Sequence, residues 1–87
     1  MKQKYNKKLR EQIRERDLGV CICGREGGHI HHIVHRSHCG SNEPKNLILL
    51  CDGCHRLVHS DEKHYVPVLM KYQEERYGKL TKEDLKC

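Results

Sequence analysis

Four of the six cysteines stand in two close pairs, Cys21-x-Cys23 and Cys51-x-x-Cys54, and these pairs constrain the fold more than any other feature. Each pair can span one edge of a tetrahedral zinc site, and Gly24 suits the turn behind a zinc-bound thiolate. The chain has 87 residues with no Trp and no Phe, so its apolar core is small, and a domain of this size commonly needs a metal or disulfides as a staple. The sequence therefore predicts a small metal-stapled α+β domain with a structural Zn²⁺.

The fourth ligand of this zinc site is open at the sequence level. Cys21 and Cys23 are separated by one residue, where a zinc knuckle normally has two, and Cys39 can complete the set instead of Cys21. Disulfides, inert buried thiols and a redox motif are the alternatives. The N-terminal segment is charged and lacks the apolar stretch of a secretion signal, so we expect a cytoplasmic protein with no membrane segment, in which thiols stay reduced and bind metal.

Basic residues are concentrated near the N-terminus of a chain whose net charge is +5. Tyr5, Leu9 and Ile13 recur every four positions, which predicts an amphipathic helix over residues 3–17 that ends near Gly19. Its other faces are basic and suit DNA phosphates, although an ordinary solvated helix surface is the alternative. The residues of this segment expected to contact DNA are Lys4, Lys7, Lys8, Arg10 and Arg14.

The remaining elements follow from hydrophobic spacing and turn residues. They are a strand within residues 29–34, a polar loop over 35–45, an apolar run over 47–50, a helix over about 52–60 and a helix over about 66–78. Asp52 is the expected N-cap of the first of these helices, and Pro67 is expected in the first turn of the second. Thr81 and Asp84 resemble a capping box.

The histidines form the second pattern. His31 and His32 are adjacent on the expected strand, so their side chains should point to opposite faces. His55 and His59 lie one turn apart on one helix face and can share a metal ion. Phosphodiester hydrolysis needs such a division of labour, because a divalent cation stabilises the developing charge while a separate neutral imidazole takes a proton from water.

In residue order and spacing, these segments resemble the HNH endonuclease family, and more narrowly its small stand-alone phage and prophage members with four zinc-binding cysteines. The segments are Ile30–Ser37, Gly40–Leu47 and Leu50–His59. The resemblance implies a ββα-metal core at about residues 18–60, flanked by N- and C-terminal helices within a single domain over 1–87. His35 departs from the pattern, since relatives often have Pro there.

The resemblance also implies catalytic roles. His31 and His55 would hold the catalytic divalent ion, and His59 would be either a third ligand or a phosphate contact. His32 would be the general base, and Asn46 would hydrogen-bond across the loop and hold that base in position. Mg²⁺, Mn²⁺, Ni²⁺, Co²⁺ and Zn²⁺ all suit such a catalytic site.

The implied function is hydrolysis of DNA phosphodiester bonds that leaves a 5′-phosphate and a 3′-hydroxyl, with Arg36 touching the phosphate. One active site per chain favours nicking by a monomer or weak dimer, and other phage DNA-processing proteins are expected partners. The alternative is a non-catalytic zinc module that binds nucleic acid. That alternative explains the cysteines and the basic charge, but it does not explain the histidine set with Asn46.

Overall fold

A two-stranded antiparallel sheet between helices forms the centre of the computed structural model, which describes residues 4–87. The elements are α1 (Lys7–Arg16), β1 (His29–His32), β2 (Leu47–Leu50), α2 (Asp52–Ser60) and α3 (Glu62–Tyr77), with short 3₁₀ turns at Arg36–His38, Pro44–Asn46 and Lys82–Leu85. The chain therefore has the predicted small α+β fold, in which two strands are followed by a helix.

The sheet separates two apolar clusters, one on each face. In the register of β1 and β2, His31 lies opposite Ile48 and His32 lies opposite Leu47. Ile48 packs with Val58 of α2 in the larger cluster, whereas Leu47 packs with residues of α1 in the smaller one. Because side chains alternate along a strand, His31 and His32 point to opposite faces, as the sequence predicts. His31 faces α2, and His32 faces the side of α1.

The first helix is shorter than predicted. It begins at Lys7 because the Asn6 side chain caps it, accepting a hydrogen bond from the backbone N–H of Leu9 at 2.9 Å. Residue 3, where the predicted helix begins, lies outside the described residues. The helix ends at Arg16 with Asp17 as its C-cap, so Leu18 rather than Gly19 takes the left-handed position directly after the cap, with a φ of 56°; Gly19 follows with a φ of 70°.

The other two helices also begin differently from the prediction. The N-cap of α2 is Cys51 rather than Asp52, because the Cys51 sulfur accepts from the N–H of Cys54. Helix α3 begins at Glu62 rather than near 66, because Asp61 caps it, so Pro67 lies beyond the first turn and removes one helical hydrogen bond. The predicted capping box of Thr81 and Asp84 is present. No helix within residues 4–87 is long and apolar enough to cross a membrane.

Side chains cover the outer edge of β2. The buried Asp17 carboxylate accepts from the N–H of Leu49 at 3.0 Å and pairs with Arg16 at 2.8 Å. Arg16 and Gln73 in turn donate to the carbonyl of Leu47, at 2.7 and 2.8 Å. This network joins the end of α1, the sheet and α3, and it satisfies backbone groups that a lone strand pair would leave unpaired.

Candidate metal centres and active site

The four cysteines predicted to bind zinc lie together. The sulfur atoms of Cys21, Cys23, Cys51 and Cys54 are all within 4.8 Å of one another, and all four are free thiols. The sulfurs of Cys23 and Cys51 are 3.6 Å apart, near the distance of about 3.8 Å that follows from a tetrahedron with zinc–sulfur bonds of about 2.3 Å. Within residues 4–87, Cys39 is outside this group and is exposed. The donor set therefore fits a tetrahedral zinc ion.

A tight turn accommodates the one-residue spacer of the first cysteine pair. Cys21 donates its N–H to the carbonyl of Arg25 at 2.7 Å, and Gly24 donates to the carbonyl of Cys21 at 2.9 Å. Gly24 has a φ of 92°, which favours glycine, so the residue after the second cysteine of the pair allows the turn. On the other pair, the N–H of Cys54 donates to the Cys51 sulfur and lowers the pKa of Cys51 to about 7.

His31, His55 and His59 form a second group of donors, whose ligand atoms are within 4.8 Å of one another. His31 is only 2% exposed. Nε2 of His31 and Nδ1 of His55 are buried without a hydrogen-bond partner among residues 4–87. Buried polar nitrogens without a partner are costly and uncommon, and a cation bound between them would account for both. The group therefore fits a divalent metal.

The protonation of these rings suits a metal as well. Burial, together with the neighbouring His59 and His55, lowers the pKa of His31 to about 4. Burial also lowers the pKa of His55, with a contribution from His29. Both imidazoles are therefore neutral near pH 7, and a neutral imidazole is the form that binds a metal.

His32 follows His31 on the strand and points to the opposite face. Its Nε2 lies 3.0 Å from Oδ1 of Asn42, and its ring packs edge-on against Tyr5 with 5.0 Å between centroids. An amide oxygen only accepts hydrogen bonds, so Nε2 carries the proton and Nδ1 keeps the lone pair. Burial lowers the pKa of His32, although the bond to Asn42 opposes this shift. Asn42 was missed at the sequence level, where it is one polar residue of a loop.

The Asn46 side chain makes hydrogen bonds to the backbone on both sides of the loop between the strands. It is fully buried, and its Oδ1 accepts from the N–H of Val34 at 2.8 Å. Its Nδ2 donates to the carbonyls of Val34 and Ser41 at 3.1 and 2.8 Å. The predicted hydrogen bonding across the loop is therefore present, and it acts on the backbone two residues beyond His32.

Two of the basic residues predicted to bind DNA lie beside His32. The guanidinium carbons of Arg10 and Arg36 are 5.4 and 5.9 Å from the centre of the Tyr5 ring, which itself contacts His32. Arg36 and His32 also line a groove of about 310 Å³, together with His31, His55 and His59. The other predicted contacts, Lys4, Lys7, Lys8 and Arg14, are exposed. Positive charge therefore lies close to the histidine-lined groove.

The part of the chain that carries both groups of donors matches a known protein family. Residues 21–61 match the sequence model of the HNH endonuclease family. That span begins at the first cysteine of the zinc-type group and ends just beyond α2, so it includes both strands, the cysteine group and the histidine group. No curated protein matches the chain.

Proposed function

Because residues 21–61 match the sequence model of the HNH endonuclease family, we propose that the chain is a metal-dependent endonuclease that hydrolyses DNA phosphodiester bonds. The observation that carries this proposal is the divergence of two neighbouring side chains. His31 lies with His55 and His59, whereas His32 lies on the other face beside Tyr5, Arg10 and Arg36. This divergence would let His31 bind a metal ion while His32 accepts a proton.

His31 and His55 would hold the catalytic cation, with His59 as a third ligand. When bound, a divalent ion would stabilise the negative charge that develops on the phosphate. The two buried ring nitrogens without a partner support this assignment. Imidazole donors suit Zn²⁺, Ni²⁺ and Co²⁺, and oxygen ligands from water and phosphate would be the main ligands of Mn²⁺ or Mg²⁺ at the same site.

His32 would act as the general base. Asn42 holds the proton on Nε2, so Nδ1 is the atom that takes a proton from the attacking water. Once the ring is charged, the carbonyl dipole of Asn42 stabilises the Nε2–H, and Asn42 is therefore a positioning residue. Arg36 would bind a phosphate oxygen of the substrate. The products would carry a 5′-phosphate and a 3′-hydroxyl.

The cysteine group would hold a structural zinc ion. It would tie the turn before β1 to the first turn of α2, and α2 carries His55 and His59. The zinc would thereby fix the helix histidines relative to His31 on the sheet. Basic residues of α1 would bind phosphates without reading sequence. With one such site per chain, the expected cut is a nick in one strand.

A plasmid-nicking assay with Mg²⁺ or Mn²⁺ tests the proposal. The wild-type chain should convert supercoiled plasmid to the open circle, and the nick should be sealed by a ligase that requires a 5′-phosphate. His32→Ala should lower the rate by about a hundredfold or more while its zinc content and DNA affinity are unchanged. His38→Ala, at an exposed histidine of the same loop, is the control. If the wild type bound DNA but cut it with none of Mg²⁺, Mn²⁺, Ni²⁺, Co²⁺ and Zn²⁺, a non-catalytic zinc module would be the better account.

A further inference from the structure

His35 and Glu62 lie next to His59. Nε2 of His35 contacts Oε1 of Glu62, and Nδ1 of His59 is 3.4 Å from that same oxygen. The rings of His35 and His59 are stacked at 5.4 Å with 13° between their planes. One ligand atom from each of the three residues lies within 4.8 Å of the others. Two imidazoles and one carboxylate thus converge outside the group that includes His31 and His55.

We propose that His35, His59 and Glu62 form a second site for a divalent transition metal such as Zn²⁺. Two histidines and a glutamate are a ligand set that zinc accepts, with a fourth position left for another molecule. The three side chains are between 30% and 44% exposed, so an ion can reach them from solvent. His35 and Glu62 also line a groove of about 340 Å³, whose lysines would favour water or a small anion at the fourth position.

The two histidine sites share His59. A neutral imidazole has one lone pair, so without further deprotonation His59 can serve one ion at a time. Its Nδ1 faces Glu62. An ion held there would take His59 from the His31 and His55 group, and excess zinc should therefore slow DNA cleavage. That consequence for activity rests on the proposed function, whereas the site itself does not.

The test removes the first histidine site and counts zinc ions. In full-length His31→Ala/His55→Ala protein, equilibrium dialysis against Zn²⁺ should give two ions per chain, one on the cysteines and one on His35, His59 and Glu62. Adding Glu62→Gln or His35→Ala should weaken the second ion by at least about tenfold. Adding His38→Ala, a neighbouring exposed histidine, should leave its affinity unchanged. No DNA or cleavage enters this measurement, so its failure is separate from failure of the nuclease proposal.

Because His31 is buried, replacing it disturbs the core, so the measurement is repeated in a second background variant that keeps His31. His55→Ala alone keeps His31 in the core, and its dialysis should show the same dependence on Glu62 and His35. Circular dichroism and retention of the cysteine-bound zinc check that each variant is folded. A background protein that binds only one zinc ion would overturn the proposal. So would a second ion whose affinity is the same with Glu62→Gln and His35→Ala as without them.

Discussion

Nε2 of His32 donates to Oδ1 of Asn42 across 3.0 Å, between the end of β1 and the loop before β2. This bond sets which ring nitrogen bears the proton, and it favours the charged ring over the neutral one. The bond should therefore affect the acid limb of the pH–rate profile of the proposed reaction, where the rate falls as His32 becomes protonated.

Asn42→Ala should lower the nicking rate about tenfold, the size expected when a partner that orients a reacting group is removed. Loss of the hydrogen bond should also lower the pKa of His32 further, so the acid limb of the pH–rate profile should move to lower pH. Asn42→Asp should move that limb to higher pH, because a carboxylate stabilises the imidazolium. Profiles that coincide for wild type and both variants would contradict the role of Asn42.

Asn46→Ala should destabilise the fold by about 3 kcal/mol, because it leaves the N–H of Val34 and the carbonyl of Ser41 without their partner. Urea denaturation measures the change. Asn46→Asp keeps an acceptor for Val34 but sets a charge against two carbonyls, so it should be at least as damaging. Asn42→Ala serves as the comparison in the same loop, and an equal loss in that variant would argue against a special role for Asn46.

Removal of the cysteine-bound metal should lower the Tm by more than about 10 °C, because metal binding contributes directly to folding in a domain with so small a core. Cys54→Ser should do the same and should abolish zinc binding at this site. Cys39→Ser, outside the group, should retain both the zinc and the wild-type Tm. Melting curves that are identical with and without zinc would exclude a structural role for the metal.

Asp17 should make stability depend on pH in the acid range. Burial acts to raise its pKa, but hydrogen bonds from Arg16 and Leu49 and the charge of Arg76 outweigh burial, so the folded pKa is below the usual value. The charged carboxylate therefore stabilises the fold above the unfolded pKa of about 3.9, and this contribution is lost as pH falls through the folded pKa.

Asp17→Asn should accordingly cost about 3 kcal/mol at pH 7, since it leaves buried arginine charge without its partner. It should also flatten the decline in unfolding free energy below about pH 4. Glu75→Gln, at an exposed position of α3, should change neither quantity. Urea midpoints measured from neutral to acid pH give the comparison, and an unaltered acid slope in Asp17→Asn would refute the assignment.

Arg10→Gln and Arg36→Gln should each weaken DNA binding and reduce the slope of log affinity against log salt by about 1, as expected for loss of one phosphate contact. Fluorescence anisotropy at several salt concentrations measures both quantities. Arg56→Gln is the control, because Arg56 is exposed on α2 and pairs with Asp52 rather than lying near Tyr5. If the slopes of Arg10→Gln and Arg36→Gln equalled that of wild type, α1 and the loop would not contact the DNA backbone.

The parts of the site that depend on local geometry could be predicted from the sequence. The opposite directions of His31 and His32 follow from strand alternation, and the shared face of His55 and His59 follows from helix periodicity. The grouping of Cys51 with Cys54 follows from spacing alone. Predicting these relationships requires only that each segment be assigned as strand or helix, and the sequence predicts both α2 and β1.

The contacts that depend on how the loop runs could not be predicted. Asn42 and Asn46 are both asparagines of one polar segment, and only the folded loop shows that the first reaches His32 and the second reaches Val34. The sequence pattern predicts Glu62 before the last helix, because it puts Pro67 in the first turn of that helix. Asp61 starts that helix four residues earlier, and this start brings Glu62 to His35 and His59.

The covered edge of β2 has a consequence for self-association. An incoming strand would have to displace Arg16 and Gln73 from the carbonyl of Leu47 and Asp17 from the N–H of Leu49 before it could pair there. Joining two sheets along this border is thus disfavoured. A pair of protomers that cleaved both strands of a duplex would therefore have to meet through a surface other than this edge, and that surface would set the spacing of the two active sites.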